Sequence, residues 1–163
     1  YGPALQETGE RAFGYDIWTN YNTTEPVVEA RYEGELNPDM KTKIAELGKM
    51  DPKAAQELYR SVSYHVDHGN GLDCYKVGPT LGGGTTALMA GDTIVYPYCY
   101  ATQEILDNGP LRFTVKLVYN PLVVKGDSTI IETRIITLDA GSYCNKTVVS
   151  YTNLKETMPL DVG

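Results

Sequence analysis

Both histidines of the 163-residue chain lie in one octapeptide, Tyr64-His65-Val66-Asp67-His68-Gly69-Asn70-Gly71. Imidazole titrates near neutral pH, which makes His65 and His68 the candidate acid/base groups. A strand would place His65 and Asp67 on one face and Val66 and His68 on the other, whereas a turn at His68-Gly69 would let the two rings converge. Tyr75 and Lys76 follow closely; they supply a phenol that can donate a proton and an ammonium that can hold a carboxylate. The opposing reading makes His65 the cap of a turn and Asp67 an acceptor for backbone amides in a Gly-rich loop.

Other residue patterns carry less chemistry. His65, Asp67 and His68 suit zinc, iron or manganese by donor type, but three ligands so close in sequence rarely all point inward and no further His exists, so no metal is expected. Leu81-Gly82-Gly83-Gly84-Thr85-Thr86 lacks the Lys and the following helix of a phosphate loop, and reads instead as a backbone turn of close approach. Trp18 and Tyr98, the latter within Tyr96-Pro97-Tyr98-Cys99-Tyr100, offer flat faces for stacking a ligand ring, although most such aromatics are core or rim residues. Arg112 can grip a carboxylate with two hydrogen bonds, or sit on the solvated face of an alternating strand.

The composition excludes whole classes of function. With 14 Lys+Arg against 21 Asp+Glu the net charge is -7, which repels the phosphates a nucleic-acid binder must neutralise. No apolar run approaches the roughly 20 residues that cross a bilayer, so membrane insertion is not expected. Cys74, Cys99 and Cys144 include no Cys-x-x-Cys pair and are expected to be buried, inert thiols. The 13 Tyr against 2 Phe and 1 Trp favour aromatics with one wet end, as on strands bordering a polar cleft. The chain opens at Tyr1 with no leader, as a processed or excised segment would.

These residues need elements to position them. Asn37-Pro38 and Asp51-Pro52 each pair an N-cap with a proline at the first helical position, where no backbone donor is required. They predict a helix over Pro38 to Leu47 and a second carrying the apolar stripe Ala54, Ala55, Leu58 and Val62, together a helical hairpin. Glu10 to Trp18 and Val27 to Tyr32 read as short strands, with a polar turn from Asn20 to Pro26 between them. From Tyr64 onward short apolar segments, Leu72 to Val77 and Thr93 to Ala101, alternate with turns. Leu111 to Tyr119 alternates so as to bury its odd-numbered residues; paired with Thr129 to Leu138 and followed by Tyr143 to Tyr151, it predicts an antiparallel meander. No linker or repeat divides the chain, so residues 1–163 read as a single β-rich domain.

Several stretches together resemble the uncharacterised domain-of-unknown-function family 4861 of exported proteins from polysaccharide-degrading bacteria. They are Tyr1-Gly2-Pro3-Ala4-Leu5, Glu10-Arg11-Ala12-Phe13, the run from His68 to Gly78, Leu81-Gly82-Gly83-Gly84, Gly109-Pro110-Leu111-Arg112 and Leu138-Asp139-Ala140-Gly141-Ser142. The resemblance implies an antiparallel β-sandwich of galactose-mutarotase-like character, of which this chain is part of a longer domain. It also implies a secreted or periplasmic setting and an oligosaccharide or polysaccharide partner, without assigning a reaction.

The combined expectation is a mainly β protein with a helical hairpin in its N-terminal half, acting on plant or algal saccharide without a cofactor. His65, His68 and Tyr75 are the candidate catalytic residues, for elimination or hydrolysis. Lys76, Arg112, Trp18 and Tyr98 are the candidate substrate-binding residues. The competing expectations are a non-catalytic carbohydrate-binding domain that uses its aromatic residues as a platform, and a fragment of a larger enzyme.

Overall fold

The computed structural model describes residues 2–7, 9, 11–20, 27–74 and 76–163, without the side chains of Leu5, Val27, Val28, Glu29 and Tyr32. In chain order the elements are α1 (Pro3–Glu7), β1 (Trp18–Asn20), α2 (Val27–Leu36), α3 (Pro38–Met50), α4 (Pro52–Val62), β2 (Gly71–Asp73), β3 (Thr86–Ala90), β4 (Thr93–Val95), β5 (Tyr100–Asn108), β6 (Arg112–Tyr119), β7 (Leu122–Val124), β8 (Asp127–Asp139), β9 (Lys146–Thr152) and β10 (Leu160–Val162). The protein is mainly β, with antiparallel sheets of two, three and five strands and packed helices in its N-terminal half. Two compact units result: Tyr1–Tyr15 with Val77–Gly163, and Asp16–Lys76.

In the Asp16–Lys76 unit, the two cap signals act as their chemistry requires. Asn37 Oδ1 accepts from the amides of Asp39 and Met40, and Asp51 Oδ1 accepts from those of Lys53 and Ala54. Asp51 also closes the preceding helix, its own N–H donating to the Leu47 carbonyl, so one residue ends α3 and starts α4. The two helices pack as the expected hairpin, with Ala55 buried and close to Gly48.

The strand expected at Val27 to Tyr32 is instead the start of α2. Glu, Ala, Arg and Leu dominate Val27–Leu36 and favour helix, which outweighs two β-branched valines. The end of α2 is then held by tertiary contacts, since Glu35 accepts from the Tyr64 amide at 2.9 Å and the Tyr59 hydroxyl at 3.2 Å. The expected turn at Asn20 to Pro26 falls largely outside the described residues.

The other unit is built around β8. This 13-residue strand pairs with β6, β7 and β9, and β6 pairs in turn with β5. The expected pairing of Leu111–Tyr119 with Thr129–Leu138 is present, bringing Phe113 opposite Leu138, Val115 opposite Ile136 and Leu117 opposite Arg134. Directly opposed residues share a face, so the odd positions of β6 do form the apolar side of the sheet. That side is covered only toward Tyr119: Phe113, Ile105 and Leu138 are exposed at the far end, while Thr114 on the opposite face is buried. Strict odd-numbered burial is therefore not observed.

Over the covered end lies a core of Leu88, Leu122, Val124 and Ile130, joined by Val95, Tyr151, Leu154 and Met158. The Glu10 to Trp18 strand is not formed as expected: residues 11–17 carry a single parallel bridge, Tyr15 to Gly82. Backbone approach explains it, because a Cβ on Gly14 would lie 2.2 Å from the Leu81 carbonyl oxygen. On the facing side a Cβ on Gly82 would lie 3.0 Å from Gly14 Cα, so Gly82 serves this packing. Likewise Thr93 to Ala101 is not one strand, since Pro97, without an N–H, separates β4 from β5.

The center of this unit is a fully buried ion pair between Glu132 and Arg134, two residues apart on one face of β8. Arg134 Nε donates to Glu132 Oε1, Nη1 to the Tyr15 hydroxyl at 3.3 Å, and Nη2 to the Thr86 carbonyl at 3.1 Å. The rings of Tyr119 and Tyr15 lie 4.8 and 5.5 Å from the guanidinium carbon. Burial raises the Glu132 carboxyl above its ordinary range, with Arg134 working against it. Removing one member of such a pair leaves the other charge uncompensated. Arg134→Met alone is expected to destabilise by about 3–5 kcal/mol in urea denaturation, and the double change Glu132→Leu/Arg134→Met by markedly less. Equal losses in the single and double variants would contradict this account of the core.

Candidate functional site

The histidine segment begins where α4 ends. Ser63 caps that helix, donating its N–H to the Tyr59 carbonyl, and is fully buried. It then organises both imidazoles: its Oγ accepts from the His65 amide at 3.2 Å, and its carbonyl oxygen lies 3.0 Å from His68 Nε2. Asp67 Oδ1 accepts from the Gly69 amide at 2.8 Å, which tightens the turn. Gly69 and Gly71 then reverse the chain with φ of +89° and +107°, and a Cβ on Gly71 would meet the Thr19 carbonyl oxygen at 1.8 Å.

The reversal brings Asp73 back beside the segment's start. Its amide donates to the Tyr64 carbonyl at 3.0 Å, and its buried carboxylate places Oδ2 3.3 Å from His65 Nδ1. The imidazole is 41 % exposed and the carboxylate 6 %. β1 pairs with β2 so that Trp18 lies opposite Asp73. Trp18 stacks on Tyr64, with centroids 5.1 Å apart and planes at 21°, and the Tyr64 ring centroid is 4.3 Å from that of His65. Trp18, Tyr64, His65 and Asp73 thus form one contiguous group. Such a group can hold a flat apolar face beside an imidazole able to move a proton.

The other expected site residues stand as follows. His68 is exposed and directs Nε2 to the Ser63 carbonyl; Lys76 is exposed; Tyr75 lies outside the described residues. Arg112 and Tyr98 belong to the unit of Tyr1–Tyr15 with Val77–Gly163, not to the histidine unit. The Arg112 fork is occupied by Asp139, its cross-strand neighbour, through Nε to Oδ1 at 2.6 Å and Nη2 to Oδ2 at 3.2 Å. This hydrogen-bonded pairing holds the Asp139 carboxyl below its usual range. Tyr98 takes Phe13 edge-on at 5.8 Å and Arg11 over its ring at 5.5 Å, and lines a recess of about 470 Å³ with Tyr96, Asn120 and Pro121.

A separate recess of about 350 Å³ has an apolar floor of Val124, Ile130, Leu154 and Met158. Its rim charges satisfy one another, Lys125 with Glu156 and Lys155 with Asp127. Among the described residues no group of three or more His, Cys, Asp or Glu side chains is placed to hold a metal ion. No helix among them is long and apolar enough to cross a membrane.

Two members of the group, Tyr64 and Asp73, are not among the candidate catalytic or binding residues that the sequence suggests. The signal was the pair of glycines between His65 and Asp73, which marks a reversal but does not say which residues it returns to each other.

Residues 1–163 match the family described as Domain of unknown function (DUF4861), and the chain belongs to that family. It is also 32 % identical over 79 residues to a relative from Formosa agariphila named "Uncharacterized protein P7". That segment is 48 % of this chain and 20 % of the relative. No solved structure matches the chain.

The three thiols are free, and the expectation that all are buried holds for Cys99 alone; Cys74 and Cys144 are exposed. Burial raises the Cys99 thiol above its ordinary range, which suppresses its reactive thiolate. A colorimetric thiol reagent should therefore label two cysteines rapidly in the folded protein and the third only on unfolding. Rapid labelling of all three would place Cys99 outside the core.

Proposed function

We propose that this is a carbohydrate-active domain of a secreted or periplasmic protein, acting on plant or algal saccharide with His65 as the proton-transfer group. One observation carries the reading: a half-exposed imidazole stands between a buried carboxylate, Asp73, and the stacked pair Trp18–Tyr64. Aromatic faces suit the C–H face of a sugar ring, and an imidazole beside such a ring suits elimination or hydrolysis. In this reading Lys76 anchors a uronate carboxylate and Tyr75, two residues beyond Asp73, donates the returning proton. The Arg112 guanidinium, in the other unit, is engaged by Asp139. His68, turned to the Ser63 carbonyl, supports the loop.

The family resemblance supports the polysaccharide setting. The exposed apolar end of the five-stranded sheet, at Ile105, Phe113 and Leu138, supports a β-sandwich of galactose-mutarotase-like character, in which a second layer covers that face. A non-catalytic binding role is favoured by a different observation, the Phe13–Tyr96 stack at 4.4 Å beside the recess that Tyr98 lines.

His65→Ala and His68→Ala, each confirmed as folded, separate these readings when assayed on a panel of uronate-containing oligosaccharides. His65→Ala is expected to lose on the order of 10²–10⁴-fold in turnover, with His68→Ala close to the intact protein. Undiminished turnover in His65→Ala rules out the proton-transfer role. Binding without turnover in the intact protein, abolished by Tyr98→Ala, favours the accessory role.

A further inference from the structure

We propose that Asp73 is a positioning residue that holds His65 as its Nδ1–H tautomer, leaving Nε2 as the proton-accepting atom, while the Ser63 carbonyl holds His68 in the opposite tautomer. The two rings meet different partners. A carboxylate cannot donate, so the nitrogen nearest it, Nδ1 of His65 with Asp73 Oδ2 at 3.3 Å, is the one assigned the hydrogen in the neutral ring. A backbone carbonyl cannot donate either, so His68 Nε2, 3.0 Å from Ser63 O, carries that ring's hydrogen.

Asp73 is suited to this task by its own placement. It is buried, its amide is tied to the Tyr64 carbonyl, and its strand pairs with β1, so the backbone that carries the carboxylate is fixed. The His65 ring is confined on one side by Tyr64. A neutral ring fixed in this way acts as a base before it acts as an acid. The Nε2 lone pair takes a proton from a substrate C–H or O–H bond, and that bond's electron pair remains on the substrate. The ring becomes imidazolium beside the Asp73 carboxylate and later releases the Nε2 proton to water. Among the routes open to the site, this order favours proton abstraction, as in elimination from a uronate. The base role rests on the function proposed above; the two tautomers do not.

The chain has only two histidines, so a long-range ¹H–¹⁵N correlation spectrum of uniformly ¹⁵N-labelled protein contains two imidazole patterns. At about pH 8.5, two units above the ordinary imidazole range, both neutral tautomers can be read directly. The expected result is Nδ1–H for His65 and Nε2–H for His68. Asp73→Asn should abolish the His65 preference, leave the His68 pattern unchanged as an internal control of folding, and lower kcat by about 10²-fold or more with KM retained. An Nε2–H or averaged His65 in the intact protein overturns the proposal even if the variant fails to fold, as does a His65 tautomer unchanged by Asp73→Asn. If the tautomers are as expected but His65→Ala keeps full turnover, the positioning pair stands and the functional reading falls. If His65→Ala is inactive and the His65 tautomer is indifferent to Asp73, the reverse holds.

Discussion

Buried polar groups must find partners inside the protein, and this one constraint organises both compact units. In the sheet-rich unit it acts on Arg134, a guanidinium withdrawn from water in the middle of the longest strand. Satisfying it recruits Glu132 from the same strand, the Thr86 carbonyl from β3, and the Tyr15 hydroxyl from the segment that crosses beside Gly82. The apolar core of Leu88, Leu122, Val124 and Ile130 contributes non-directional burial, whereas each guanidinium donor requires an acceptor in a defined direction. In the other unit Ser63 and Asp73 play the corresponding part: each is buried, and each meets the segment that carries His65.

Much of the fold was legible because its signals are local. The two caps, each followed by a proline, act within three residues, and both helices start where Asn37 and Asp51 place them. The alternation of Leu111 to Tyr119 likewise survives as β6 paired with β8. What was not legible depends on distant partners. Val27 and Val28 suggest a strand, yet the segment is helical and finishes at Glu35, whose hydrogen-bond donors, Tyr59 and Tyr64, lie more than twenty positions away. Glu132-Thr133-Arg134 has the look of a solvated strand face, and nothing in its own composition marks it as the buried center of a sheet. Phe113 reads as core from its pattern, but whether an apolar face is covered depends on what lies above it.

The same division holds for the candidate site. The concentration of His65, Asp67 and His68 was visible, and so was the turn that Gly69 and Gly71 permit. The partition of labour among them was not. Asp67 is occupied with the turn, His68 with a backbone carbonyl, and it is Asp73, eight residues from His65, that supplies the carboxylate facing the exposed imidazole. Trp18 reaches this group through a strand pairing between residues more than fifty positions apart.

We propose that a saccharide is held against Trp18 and Tyr64 beside the His65 imidazole. Trp18 is the single tryptophan of the chain, so its emission reports on that place alone. The direct measurement is a fluorescence titration of the intact protein with uronate-containing oligosaccharides, with binding followed in parallel by calorimetry. The account predicts a saturable change in Trp18 emission whose midpoint matches the calorimetric Kd. A saccharide that binds by calorimetry and leaves the emission unchanged would contradict it.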